Sequence, residues 1–198
     1  MPYIFVGLGN PGEEYENTRH NTGRIMLEFF RKSQNLPEWE QNKKINALVS
    51  EGKVGKEKVM LVEPDTFMNK SGNALKSLVK SKKAAEKLLV IQDDLDLPVG
   101  RIKISFNRGS GGHRGIESII RAVGTEGFIR LRVGISPETA GGKIKKPSGE
   151  KAVNDFILGK FKPADEAEFK KLGKKASEAL EMLLKEGREK ATGFANSL

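Results

Sequence analysis

The sequence predicts an α/β protein, a three-layer α/β/α sandwich around a mixed, largely parallel central sheet. Short apolar or alternating stretches suited to strands take turns with amphipathic stretches suited to helices, which is the signature of a sheet between helical layers. One pair of strand-like stretches, Ile45–Glu51 and Lys58–Val62, is separated only by a turn around Gly52–Gly55. That hairpin makes the sheet mixed. Leu88–Ile91 is a short apolar run that stops at Asp93-Asp94, as a central strand entering a site does.

Taken in order, Tyr3–Leu8 reads as a buried strand and Gly9 to His20 as a polar loop. A helix is expected near Thr22–Lys32, where Ile25/Phe29 and Met26/Phe30 repeat at four-residue spacing. Pro64 ends the hairpin, and a second helix is expected from about Ser71 to Lys83. Arg101–Phe106 and Ile129–Ile135 alternate apolar with polar or basic residues, so each buries one face and turns basic groups to the other. Between them lie the Gly-rich loop Gly109–Gly115 and a helix carrying Ile116, Ile119, Ile120 and Val123. Thr139–Lys151 has no periodicity and reads as a mobile loop. A long helix over about Ala164–Glu186 closes the pattern, with Phe169, Leu172, Ala176, Leu180 and Leu183 on one stripe. With no internal repeat and no linker, residues 1–198 are expected to form a single domain.

Composition narrows the function classes. Hydrophobic residues make up 37% and charged residues 31%, an ordinary soluble balance. No run approaches the roughly 18 apolar residues of a membrane span, and the opening residues lack the basic flank of a signal peptide. The absence of cysteine removes disulfides, thiol nucleophiles and zinc–thiolate sites, and points to a reducing cytoplasm. The net charge is +9, and residues 101–151 supply +7 of it with 11 Lys/Arg against 4 Asp/Glu. Such a cluster attracts a polyanion or is merely a solvated surface; charge alone does not decide.

Gly7-Leu8-Gly9-Asn10-Pro11-Gly12 matches the spacing of a dinucleotide-binding loop, but its context fails. Pro11 removes an amide, Gly12 leads into the acidic Glu13-Glu14-Tyr15-Glu16, and the next strand comes too late for a βαβ unit of about 30 residues. A different constellation carries chemistry. The only histidines, His20 and His113, sit in polar loops beside expected helix starts, and Asp93 ends an apolar strand. Asn10 and Asn69 lie beside element ends, so topology allows Asn10, His20, Asn69, Asp93 and His113 to meet at one sheet edge. No serine occupies a G-x-S-x-G elbow. A neutral histidine takes a proton from water, a carboxylate orients the ring, and asparagine amides donate to a carbonyl oxygen gaining charge. Two other readings stay open at this point: a structural His20–Asp93 ion pair, and a metal held by both histidines and Asp93, although no H-E-x-x-H signature is present.

Four ordered motifs give the chain a family resemblance. Val6–Gly12 followed by Tyr15 and Thr18-Arg19-His20-Asn21, Pro64 through Gly72, Asp93–Pro98 with Gly100, and Gly111-Gly112-His113 with Gly115 resemble the signatures of bacterial-type peptidyl-tRNA hydrolases. The resemblance implies an α/β/α fold, a cytoplasmic monomer, and hydrolysis of peptidyl-tRNA without metal or other cofactor. It makes His20 the general base, Asp93 its orienting partner, and Asn10 and Asn69 the groups that position the peptide and the attacked carbonyl. Tyr15, Phe67, Met68 and His113 would line the cleft for peptide and RNA 3′ end. Lys103 and Arg132 match or adjoin positions that hold RNA phosphates, and Lys143, Lys145 and Lys146 would lie in or beside a mobile lid over residues 136–151. Relatives sharing the fold serve as RNA-splicing helpers without needed hydrolysis; His20 and Asp93 favour the enzyme. The chain departs from the family pattern at Arg114, where asparagine is common. Its guanidinium is expected to enter the cleft and hold a phosphate or carbonyl oxygen, or else to fold outward onto a carboxylate such as Glu117.

Overall fold

A computed structural model describes residues 1–197, apart from the side chains of Ala164 and Glu166; residue 198 of the expected domain lies outside it. Seven strands form one sheet in the order β2-β3-β4-β1-β5-β7-β6. They are β1 (Tyr3–Gly7), β2 (Glu40–Asn42), β3 (Ala47–Val54), β4 (Glu57–Pro64), β5 (Leu88–Pro98), β6 (Ile102–Phe106) and β7 (Ile129–Ser136). β4, β1, β5 and β7 run parallel, while β3 and β6 pair antiparallel with β4 and β7. The expected hairpin is β3–β4, with Val54 opposite Glu57 across its turn.

The strands' two faces build two cores. On one, Phe5, Leu61, Leu89 and Leu131 pack against α1 (Thr22–Ser33), α5 (Pro163–Glu186) and α6 (Arg188–Ser197). On the other, Val6, Val62 and Val90 meet the 3-10 segment Met68–Leu75, the short α2 (Lys82–Ala85) and α3 (Arg114–Val123). Helix α1 shows why its segment is a helix. Met26, Leu27 and Phe30 fall on one stripe and are fully buried, each contributing about 1.5–3 kcal/mol relative to exposure. The three layers and the mixed sheet match the expected class.

Several elements differ from expectation. The Ser71–Lys83 stretch forms the 3-10 segment and α2 instead of one helix. β5 continues through Asp93 to Pro98, and β2, α4 (Glu150–Ile157) and α6 had no strong sequence signal. At the stretch read as an aperiodic loop, Thr139–Lys151, Glu138 just before it bridges Ile144 within it, and α4 begins at its last residues. Among the described residues no helix is long and apolar enough to cross a membrane.

Candidate active site

The site forms where β1 ends beside β5, which runs on past it. Past β1, the Leu8 amide still donates to the Ile91 carbonyl at 3.1 Å, so the chain stays against β5 as far as Leu8. The N-terminus of α1 returns against this point. Gly23 is required there, because a Cβ would collide with the Leu8 backbone and the Ile91 carbonyl. That close approach carries the preceding 3-10 turn, Arg19–Asn21, to the stretch of β5 that holds Asp93.

His20 and Asp93 are both buried, at 7% and 4% exposure. His20 Nδ1 lies 3.0 Å from both Asp93 oxygens. His113 Nε2 lies 2.9 Å from Asp93 Oδ1. Burial alone would push the Asp93 carboxyl up, but the two histidines overcome it and hold the group well below the usual carboxylate range. An ionised carboxylate only accepts, so both facing ring nitrogens carry hydrogen. His113 satisfies this with its other nitrogen: Nδ1 accepts from the Gly115 and Ile116 amides at 3.2 and 3.4 Å and caps α3. His20 donates through Nδ1, which leaves its Nε2 lone pair free of any described protein partner. The result is an imidazole whose tautomer is fixed by a buried carboxylate, an arrangement suited to a general base.

Asn10 is fixed just as tightly. Its amide donates to Asn21 Oδ1 at 2.8 Å, Asn21 Nδ2 donates back to the Asn10 carbonyl at 2.9 Å, and Asn10 Oδ1 accepts from the Met68 amide at 2.9 Å. With Oδ1 engaged, the Nδ2 hydrogens are the group left to donate to a ligand. Asn10, His20, Phe67, Met68, Asn69, Asp93, Lys103, His113, Arg114 and Arg132 line one cleft of about 1240 Å3. Tyr15 does not line it, but meets the exposed Phe67 edge-on at 6.5 Å. Lys143, Lys145 and Lys146 also lie outside the lining, and Lys146 pairs with Asp96 at 2.5 Å. Arg132 donates to Asp94 at 2.6 Å. Arg114 lines the cleft, yet its guanidinium is on Glu150 of α4 at 2.5 Å, and Glu117 instead accepts from Ser110.

The two histidines and Asp93 also place three potential metal-ligand atoms within 4.8 Å of one another. In this geometry those atoms already share two hydrogens, and a cation would have to displace both. The glycine-rich run after β1 builds no phosphate cradle: Gly12 opens a 3-10 turn, Glu13–Tyr15, with two carboxylates in it.

A family model described as peptidyl-tRNA hydrolase matches residues 4–197. The chain belongs to the peptidyl-tRNA hydrolase family. A peptidyl-tRNA hydrolase of Herpetosiphon aurantiacus is 41% identical over 196 residues, covering 98% of this chain and 90% of that protein. One of Brevibacillus brevis is 37% identical over 196 residues, covering 98% of each. The crystal structure of the Acinetobacter baumannii peptidyl-tRNA hydrolase superposes with a TM-score of 0.87 at 27% identity, over 99% of this chain and 95% of that one.

In this member of the peptidyl-tRNA hydrolase family, the cleft also holds groups that sequence reasoning missed. Asn21 anchors Asn10, and Gln92 donates to the Asp93 carbonyl at 3.3 Å. Arg130 and Arg108 line the cleft beside Lys103 and Arg132. Helix α4 adds Val153, Asn154 and Ile157. The alternation of β7 was the available signal for Arg130, since it shares a face with Arg132.

Proposed function

We propose that this chain hydrolyses the ester between a peptide and the 3′ end of tRNA, with water activated by His20. What carries the reading is the buried His20–Asp93 pair with its free Nε2 at the cleft, in a chain of the peptidyl-tRNA hydrolase family. Nε2 removes a proton from water as the oxygen attacks the ester carbonyl carbon. The Nδ2 donors of Asn10, with Asn69 at the cleft edge, hold the carbonyl oxygen as it gains negative charge. When the tetrahedral centre collapses, the ribose oxygen leaves and takes the proton back from the His20 imidazolium. Asp93 stabilises that imidazolium. The products are a peptide carboxylic acid and free tRNA. Met68, Phe67 and His113 border the peptide and the RNA end, Tyr15 supports Phe67 from behind, and Lys103 and Arg132 lie toward the RNA.

Residues 136–151 and α4 serve as the lid in this reading. Two exposed ion pairs, Arg114–Glu150 and Lys146–Asp96, hold it across the cleft. Exposed pairs are weak because solvent screens them, so RNA phosphates displace them readily, and Lys143 and Lys145 stay available to the RNA. This lets Arg114 exchange Glu150 for substrate. We take the protein to act as a cytoplasmic monomer, in keeping with a translation substrate and a chain without cysteine. Release of the acyl group from N-acetylated aminoacyl-tRNA tests the function. Wild type releases it, and His20→Ala slows release by about 10²–10⁴-fold while still binding tRNA; a folded variant that keeps most of the wild-type rate removes His20 from the chemistry.

A further inference from the structure

A second hollow, of about 550 Å3, shares Asn10 with the cleft and lies against α1. Asn21, which anchors Asn10, is also in its wall. The sheet supplies Leu48 of β3 and Glu63 of β4, which stand directly opposite each other. Both fall on the face that α1 covers, since Leu61, two residues before Glu63, packs in that core. Helix α1 adds Ile25 and Phe29, and Trp39 completes the apolar part of the lining. The volume falls in the range of about 300–1,000 Å3 that small-molecule sites occupy.

The charges in this wall do not balance. Four carboxylates, those of Glu13, Glu16, Glu28 and Glu63, stand against two cations, Arg24 and Lys32. Both cations are already committed. Lys32 holds Glu28 at 3.2 Å, where Arg31 and the Trp39 indole also donate. Arg24 donates to the Pro64 carbonyl, and its Nη1 stops 3.9 Å from Glu63, too far for a hydrogen bond. Glu28 therefore has its donors and Glu63 does not. The Glu63 side chain is only 9% exposed, and among the described residues nothing hydrogen-bonds its oxygens. Glu13 and Glu16 are exposed and form no ion pair among the described residues. A carboxylate taken nine-tenths out of water without a donor is costly. Its complement is a cation that carries N–H groups, and the apolar remainder of the wall suits a hydrocarbon stem behind that cation.

We propose that this hollow is a second ligand site, which binds a protonated amine on an apolar stem. Glu63 is its anchor, and Ile25, Phe29, Trp39 and Leu48 surround the stem. An ammonium beside Glu63 holds the carboxyl in its ionised form, and Glu13 and Glu16 add attraction for the cation. The site does not depend on how the cleft is read. A free alkylamine and the side chain of a peptide lysine present the same group, and the test separates these two sources.

Trp39 is the one tryptophan of the chain, so its fluorescence reports on this hollow and not on the cleft. The full chain is titrated at pH 8, above the value of about 7 to which burial pushes the Glu63 carboxyl. The probes are n-hexylamine, its neutral and anionic counterparts n-hexanol and hexanoate, and N-acetyl-lysine methylamide. Hexylamine shifts the Trp39 emission saturably, with a Kd on the order of 1 mM for a ligand of this size. Hexanol and hexanoate bind at least about tenfold more weakly. Glu63→Gln keeps the shape, removes the charge and weakens hexylamine by about tenfold or more. Leu48→Lys sets a tethered ammonium directly across from Glu63 and abolishes binding of the free amine. Saturable binding of the lysine derivative as well assigns the site to peptide side chains, and binding of hexylamine alone assigns it to free amines. The proposal is overturned if hexylamine gives no saturable change, if hexanoate binds as well as hexylamine, or if either variant binds hexylamine like wild type. Should one variant fail to fold, the other variant and the comparison of hexylamine with hexanoate on wild type still decide.

Discussion

One carboxylate serves two histidines, and they use it differently. His113 spends Nδ1 on the first amides of α3 and Nε2 on Asp93, so both its nitrogens are committed and it acts as scaffold and cleft wall. His20 spends only Nδ1, and its Nε2 lone pair has no described protein partner; in the proposed reaction that lone pair serves water. The two substitutions are therefore expected to diverge. Asp93→Asn keeps one oxygen within reach of both N–H groups but turns an amide N–H toward His20 Nδ1, which favours the wrong tautomer, and no charge remains to stabilise an imidazolium. Turnover should fall on the order of 10³–10⁴-fold. His113→Asn preserves a helix cap and leaves the His20–Asp93 pair in place, so its effect should fall mainly on KM. Single-turnover rates at saturating substrate separate the two; equal losses would put His113 in the chemistry. The sequence placed these residues through a motif resemblance and not through spacing, since His20 and Asp93 are 73 positions apart. Arg130 escaped notice for the opposite reason. It looked like any solvated arginine of an alternating strand, and only the burial of that face made it unusual.

At the scale of elements, α4 is tied to the segment that bears His20. Arg19 precedes His20, and its amide donates to the Gly159 carbonyl at 3.0 Å. Its guanidinium donates to the Phe156 carbonyl at 3.2 Å and covers the Phe156 ring at 4.4 Å. The exit of the proposed lid is thus clamped to the residue beside His20. Arg19→Ala is expected to free it, raising KM several-fold and opening the chain near residues 156–160 to proteolysis, with kcat changed less. A protease pattern identical to wild type would mean that other contacts hold α4. Elements with local periodicity, such as α1, α3 and β7, were legible, and elements shaped by distant contacts were not. The Ser71–Lys83 stretch has helical spacing, but Gly72 packs directly on the Ser118 backbone and its amide donates to Ser118 Oγ at 3.0 Å. That contact sets a tighter 3-10 path, and Ser81 then starts a fresh helix by accepting from the Ala84 amide at 3.1 Å. β5 outruns its apolar run because it pairs with β7 as far as Ser136 across a bulge. Asp93 therefore sits within a strand, more rigidly than a loop residue would.

For the whole molecule, two buried carboxyls give stability opposite dependences on pH. Asp93 is held below the usual range, so its contribution is present above that range and lost on acidification. Glu63 on β4 behaves in reverse. It is 7% exposed, and its nearest cation, Arg24 Nη1, stands 3.9 Å away. Arg24 is itself committed to the Pro64 carbonyl. Burial outweighs that distant charge and pushes the Glu63 carboxyl from 4.5 up to about 7. A carboxyl raised in this way stabilises the fold fully below its unfolded value. The contribution fades as pH climbs through about 7, where the buried group must ionise. Glu63→Gln keeps the shape and stays neutral at every pH. It should match wild type within about 1 kcal/mol near pH 5, then gain on it steadily as pH rises. By pH 8 the difference should reach the order of 2–3 kcal/mol, following from the shift at 1.36 kcal/mol per pK unit. Paired thermal melts of wild type and variant across that range measure it directly. A difference that stays flat or shrinks with pH would show that Arg24 keeps Glu63 ionised in the folded protein, and that the pair, not burial, governs this corner of the molecule.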